Sequence, residues 1–147
     1  MEVNIYLEIK TEKKSSRSKA MYLLEAMKDG EPLMINGEPY VVYEQIEEEH
    51  ANTTKISMKI LVMALSRLTK PCKISVFTEN ESIYYAIKNG WHLNWKNNNW
   101  KNAKGLQIKY VDEWKVIVDI LERHEVEVNM QWHTYRKWMQ EMMKKEN

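Results

Sequence analysis

The residues best suited to chemistry lie between Thr78 and Lys109, in the stretch TENESIYYAIKNGWHLNWKNNNWKNAKGLQIK. Between Glu81 and Asp112 there is no acidic residue, while Lys88, Lys96, Lys101, Lys104 and Lys109 are interleaved with Trp91, Trp95 and Trp100. Ammonium groups neutralise phosphates and indole rings pack on sugars or bases, so the segment suits a nucleic-acid strand. The same spacing has a plainer meaning. Tryptophans at i and i+4 also form one buried helix face, with the lysines on the solvated one.

The charge of the chain is segregated rather than large. Net charge is +1, so the molecule as a whole is no polycation. A basic run (Lys10, Lys13, Lys14, Arg17, Lys19) precedes a stretch from Asp29 to Thr54 that holds Asp29, Glu31, Glu38, Glu44, Glu47, Glu48 and Glu49 and no Lys or Arg. Such asymmetry permits one face to attract phosphate while another repels it. Cys72 is the only cysteine, which removes any intramolecular disulfide and fits a reducing compartment. The opening MEVNIYLEIKTEKK lacks a basic-then-apolar signal pattern, and no apolar run approaches the roughly 18 residues of a membrane span. The expectation is a cytoplasmic protein that does not enter a membrane.

The elements that must position these residues read as α/β. With 147 residues the chain is expected to form one domain, residues 1–147. Val3, Ile5 and Leu7 alternate with polar or amphipathic neighbours as a strand does, and Tyr40–Tyr43 is strand-like after the Asn36-Gly37 turn. Residues 20–27, AMYLLEAM, have helix propensity. Asn52-Thr53-Thr54 offers N-caps for a helix running to about Thr69, with Ile60, Leu61, Ala64, Leu65 and Leu68 on its apolar face. A short strand holds Ile74 and Val76. A helix capped by Asn80 carries Ile83, Tyr84 and Ile87 to Gly90. Trp114, Ile117, Val118 and Leu121 follow the helical rule, Val126, Val128 and Met130 alternate, and Tyr135, Trp138, Met139 and Met142 make a last helix.

This order, with its motifs, resembles type 1 ribonuclease H over nearly the whole chain. The most specific part is Gly90 to Gly105, GWHLNWKNNNWKNAKG, which is similar to the family's basic, substrate-binding protrusion with its three tryptophans. Ile108-Lys109-Tyr110-Val111-Asp112-Glu113-Trp114 resembles the V-K-N-x-D-L-W stretch, Ala64-Leu65-Ser66-Arg67-Leu68 the A-L-x-x-L of the first helix, and Phe77-Thr78-Glu79-Asn80 the T-D-S strand end. The resemblance implies a ribonuclease H-like fold: a five-stranded mixed sheet, three antiparallel strands then two parallel, flanked by helices. It also makes residues 20–27 a strand, against their propensity, and the Trp-rich segment a protrusion.

The family hydrolyses the RNA strand of an RNA/DNA hybrid with two Mg²⁺ ions held by four acidic side chains. Carried over position by position, the first acid falls on Glu8, followed by Ile9 in place of the family's glycine. The second falls on Ser57 and the third on Glu79. The fourth falls on Gln140 or, with a one-residue shift, on Glu141. His133 is the candidate for the family's mobile histidine. Two anions are thus lost, and each surviving Asp→Glu change lengthens its arm, a displacement of about 1 Å that can cost about 100-fold in rate. A metal between Glu8 and Glu79, Mg²⁺ or Mn²⁺, and no metal at all are both open, with the Glu47–Glu49 run either helping or a solvated strand end. Thr53 and Thr54 fall on an Asn-Asn pair that reads the minor groove, with Asn52 just before them. Lys96, Lys101 and Lys104 are the expected phosphate contacts, and Trp91, Trp95 and Trp100 the rings of the protrusion. Three readings follow: a nucleic-acid-binding homologue with impaired or lost catalysis (a pseudoenzyme), an active metal-dependent endoribonuclease with a rearranged acid set, and a protein-interaction module on the same fold.

Overall fold

The computed structural model describes residues 1–12 and 16–145; Lys13 and Lys14 of the basic run lie outside them. In chain order the principal elements are β1 (Glu2–Glu12), β2 (Arg17–Lys28), β3 (Val41–Glu49), α1 (Thr53–Leu65), β4 (Lys73–Phe77), α2 (Glu81–Lys88), α3 (Trp91–Asn97), α4 (Val111–Leu121), β5 (Glu125–Asn129) and α5 (Arg136–Lys144). Between β2 and β3 lie three two-residue strands. Glu31–Pro32 adds to the end of β2 as a sixth member of the sheet, while Met34–Ile35 and Glu38–Pro39 pair as a separate hairpin. The five long strands run in the order β3-β2-β1-β4-β5. β1, β2 and β3 are antiparallel, and β1, β4 and β5 are parallel. The expected sheet is therefore present, enlarged by one short edge piece.

Residues 20–27 lie inside β2, where every residue from Ala20 to Ala26 is buried. Tertiary pairing on both sides overrides the helix propensity of this segment. The period of two then divides the two long strands between two layers. Val3, Ile5 and Leu7 of β1 and Ala20, Tyr22 and Leu24 of β2 face the main core with α1 and α4. Their neighbours Tyr6, Met21 and Leu23 face the other way and pack under Met139 and Met143 of α5. By the same parity Glu8 and Glu25, both buried, fall on the α5 side.

Two helix expectations change. α1 ends at Leu65, short of Thr69, because Ser66 leaves the helix with its hydroxyl bonded back to Val62 O, so Leu68 packs on the core from outside the helix. In α5 the buried positions are Met139 and Met143, whereas Trp138 is exposed. β5 ends at Asn129, which leaves Met130 beyond the strand.

Candidate active site

β1 pairs with β4 only from Glu2 to Tyr6, whose partner is Phe77. Beyond that point β1 runs on to Glu8 while the other chain turns at Thr78 and Glu79 into α2. The divergence opens a cavity of about 340 Å³ lined by Glu8, Thr53, Ser57, Thr78, Glu79 and Asn80, among others. Parallel strands that part at their carboxyl ends are a general place for a site in an α/β sheet.

Glu8 is buried, at 3% exposure, and the protein satisfies it from both sides. His133 Nε2 lies 2.8 Å from Oε2, and Gln140 Nε2 donates to Oε1 at 2.8 Å and to Ile9 O at 3.3 Å. Tyr135 N donates to His133 Nδ1 at 3.2 Å, which leaves Nε2 as the protonated nitrogen facing Glu8. His133, the candidate for the family's mobile histidine, is buried, with its ring 4.5 Å from that of Tyr6, where the loop before α5 packs onto the sheet.

Glu79 is exposed, with 62% of its side chain accessible, and forms an ion pair with Arg136. The same guanidinium nitrogen lies 3.9 Å from Glu8 Oε1. Arg136 was absent from the sequence-derived site. Its signal was available, since it stands four residues before Gln140 and so shares that helix face. Ser57 is buried and its hydroxyl donates to Thr53 O at 2.8 Å, within its own helix. Glu141, the alternative to Gln140, is exposed and pairs with Lys144. The Glu47–Glu49 run is engaged elsewhere: Arg17 pairs with Glu47 and Glu49, and Lys59 with Glu48.

These donors do not fit a two-metal centre. Mg²⁺ requires near-octahedral oxygen ligation from converging carboxylates. Here one carboxylate has both oxygens bonded to protein donors and the other is paired with a guanidinium. The remaining two positions are neutral. Among the described residues no group of three or more His, Cys, Asp or Glu side chains is disposed to hold a metal ion.

Behind the site, Glu25 accepts from Tyr6 Oη at 2.8 Å and Tyr135 Oη at 2.6 Å. Burial and then the Glu25 carboxylate raise both phenols above their ordinary value, Tyr135 being pushed up to about 12. Neither residue was foreseen in this role, because neither the strand pattern around Tyr6 nor the helical pattern around Tyr135 marks a buried carboxylate partner.

The expected groove readers divide between structure and surface. Asn52 caps α1, accepting from Thr54 N and Lys55 N, and its amide donates to Tyr110 Oη at 3.0 Å. Thr54 accepts from Asn80 Nδ2 at 3.2 Å, tying the starts of α1 and α2 together. Thr53 is exposed at the cavity rim.

The Trp-rich segment contains the short helix α3 followed by a loop. Trp95 packs edge-on against Trp114, with ring centroids 5.5 Å apart, and Trp95 and Trp100 both lean on the main core. Trp91 is exposed at 46%. One ring therefore faces outward and two lean inward, so Trp91 and Trp95 do not share one buried helix face. Lys101 and Lys104 are exposed, whereas Lys96 is held by both carboxylate oxygens of Glu122, at 2.6 and 2.7 Å.

Sheet order, helix placement and the cleft at the parting strands define a ribonuclease H-like α/β fold. The chain superimposes on LC9-RNase H1, a type 1 RNase H with the type 2 active-site motif, with a TM-score of 0.71 at 15% identity, covering 95% of this chain and 69% of that one. It also superimposes on the foamy viral protease-reverse transcriptase in complex with an RNA/DNA hybrid, with a TM-score of 0.64 at 13% identity, covering 95% of this chain and 18% of that one. In sequence it is 32% identical over 79 residues to the ribonuclease H of Caldicellulosiruptor saccharolyticus, a match covering 54% of each chain, so it spans about half the length of that relative. No protein-family model matches. The fold is ribonuclease H-like, and about half of the chain is similar in sequence to ribonucleases H.

Proposed function

We propose that this protein binds an RNA/DNA hybrid or a related duplex through its ribonuclease H-like surface, with the hydrolytic step impaired or lost. The observation that carries the reading is the state of Glu8. Both of its oxygens are bonded to His133 and Gln140, where the resemblance calls for a carboxylate open to metal and a second acid facing it. Ser57, at another acid position, closes its hydroxyl on its own helix.

Binding is supported by groups that the fold leaves free to act. Lys101, Lys104 and Trp91 are exposed on the segment after α2, and Thr53 is exposed at the cavity rim. They supply phosphate neutralisation, a stacking face and a hydroxyl suited to sugar contacts. The foamy viral relative was seen with a hybrid bound, which makes hybrid the first ligand to try.

The binding half is tested by a hybrid gel shift across a salt series. Affinity is expected to fall steeply with salt, and to fall further in Lys101→Ala/Lys104→Ala. Absent or salt-insensitive binding contradicts the reading and favours a protein-interaction module.

A further inference from the structure

We propose that Arg136 is the resident cation of this site. Its guanidinium stands between Glu8 and Glu79 and closes the pair to Mg²⁺ and Mn²⁺. The inference deepens the reading above and rests on it in taking Glu8 and Glu79 as the surviving carboxylates of the site.

Arg136 is the first residue of α5. It occupies the first turn of α5, where the helix dipole disfavours a cation and where no acidic residue of the helix offsets it. A positive charge there is favoured by anions supplied from outside the helix. Those anions are Glu79, with which one guanidinium nitrogen forms an ion pair, and Glu8, whose Oε1 lies 3.9 Å from the same nitrogen. The side chain is 33% exposed and runs from α5 to Glu8 of β1 and to Glu79, just before α2.

An arginine carries a fixed positive charge and presents its donors as a rigid planar fork. A divalent ion entering between these carboxylates must either displace the guanidinium or sit beside it, and both raise the cost of entry. It must also break the hydrogen bond that the Gln140 amide, one helical turn further along, donates to Glu8 Oε1. Arg136 and Gln140 thus act from one face of α5 on one carboxylate. The chain itself supplies the cation that the site would otherwise draw from solution.

The test is Mn²⁺ binding without nucleic acid, by calorimetry and by the paramagnetic resonance signal of free Mn²⁺. It compares the parent, Glu79→Gln, Arg136→Gln and Arg136→Gln/Glu79→Gln. Arg136→Gln is expected to bind one Mn²⁺ at least tenfold more tightly than the parent, and the added Glu79→Gln change is expected to remove that gain. Parent and Glu79→Gln are expected to match. A parent that binds Mn²⁺ as tightly as Arg136→Gln overturns the proposal, as does a folded Arg136→Gln that gains no affinity. If Arg136→Gln fails to fold, the parent against Glu79→Gln still decides: an affinity that drops on losing Glu79 contradicts a closed site. Failure of the hybrid-binding reading shows separately, as a missing gel shift, and leaves this titration untouched.

Discussion

Gln140 donates its amide to Glu8 across 2.8 Å, so a residue on α5 and one on β1 that are 132 positions apart form an acid–amide pair at the open end of the cleft. An amide donates at any pH and adds no charge, so the buried carboxylate is satisfied without a second anion or a bound ion.

Replacing that amide by an acid should be costly. In Gln140→Glu two carboxylates face one another in a buried setting, and one of them must take up a proton or move. The expected loss is about 1–3 kcal/mol near neutral pH. The protonated member of the pair has its pKa raised in the folded state, so the cost is present above that value and shrinks as pH falls. Denaturant melts of parent and variant at pH 7 and pH 5 check this; an equal loss at both values contradicts it.

The phenols around Glu25 set an alkaline limit. Tyr6, Tyr135 and Tyr22 all have pKa values raised above 10.0, chiefly by burial, then by hydrogen bonds to Glu25 or Glu44. A folded pKa above the unfolded one means that the native state keeps protons the unfolded chain has released. Stability is therefore intact below about pH 10 and declines as pH rises beyond it. Phenolate absorbance is expected to show these three ionising above pH 10.0, with their release coinciding with unfolding. Tyr6→Phe should leave Glu25 under-bonded and cost about 1–3 kcal/mol.

His124 sets a limit on the acid side. Its Nδ1 accepts the backbone N–H of Cys72 at 3.0 Å, and its pKa is lowered from 6.5, first by burial and then by the nearby Arg123 charge. The unfolded chain therefore binds the proton first, so stability falls as pH drops through about 6.5 and levels off below the folded value. A His124→Asn variant, with no titrating group there, should lose less stability than the parent between pH 7.5 and pH 5.5 in paired melts.

The Trp-rich segment separates stability from binding. Trp114, the α4 ring against which Trp95 of the segment packs, is buried at 3%, and Trp114→Ala is expected to cost about 3–5 kcal/mol. Trp91→Ala, at an exposed position, should shift stability by less than about 0.5 kcal/mol while weakening hybrid binding. Lys101→Ala and Lys104→Ala should each lower the salt slope of binding by about 1, and Lys96→Ala by less, since Glu122 already holds its ammonium. Equal effects at the three lysines in a salt-series binding assay would contradict this division.

Much of this fold was legible in local pattern. The strand alternation of Val3, Ile5 and Leu7 and the helical spacing of Trp114, Ile117, Val118 and Leu121 are periodic signals that burial follows directly. Residues 20–27 were legible only through family resemblance, since their propensity pointed to a helix and long-range pairing decided otherwise. Glu8, Ser57, Glu79 and Gln140 (or Glu141) were picked out by the family resemblance, but their partners were not. Whether Glu8 meets a metal, an amide or a guanidinium depends on how α5 docks on the sheet, and no local pattern encodes that. His133 reads the same as a mobile loop residue or a packed ring until Tyr6 and Tyr135 are placed beside it.

The central claim is binding without efficient cleavage, and end-labelled RNA/DNA hybrid tests it most directly. Parent and Glu79→Gln, purified identically, are incubated with it at high protein concentration in Mg²⁺ and in Mn²⁺, alongside a gel shift of the same hybrid. A retained shift with no cleavage beyond that of the variant in either metal is the predicted result. Cleavage by the parent that Glu79→Gln abolishes would contradict the account and make this an active nuclease with a rearranged acid set.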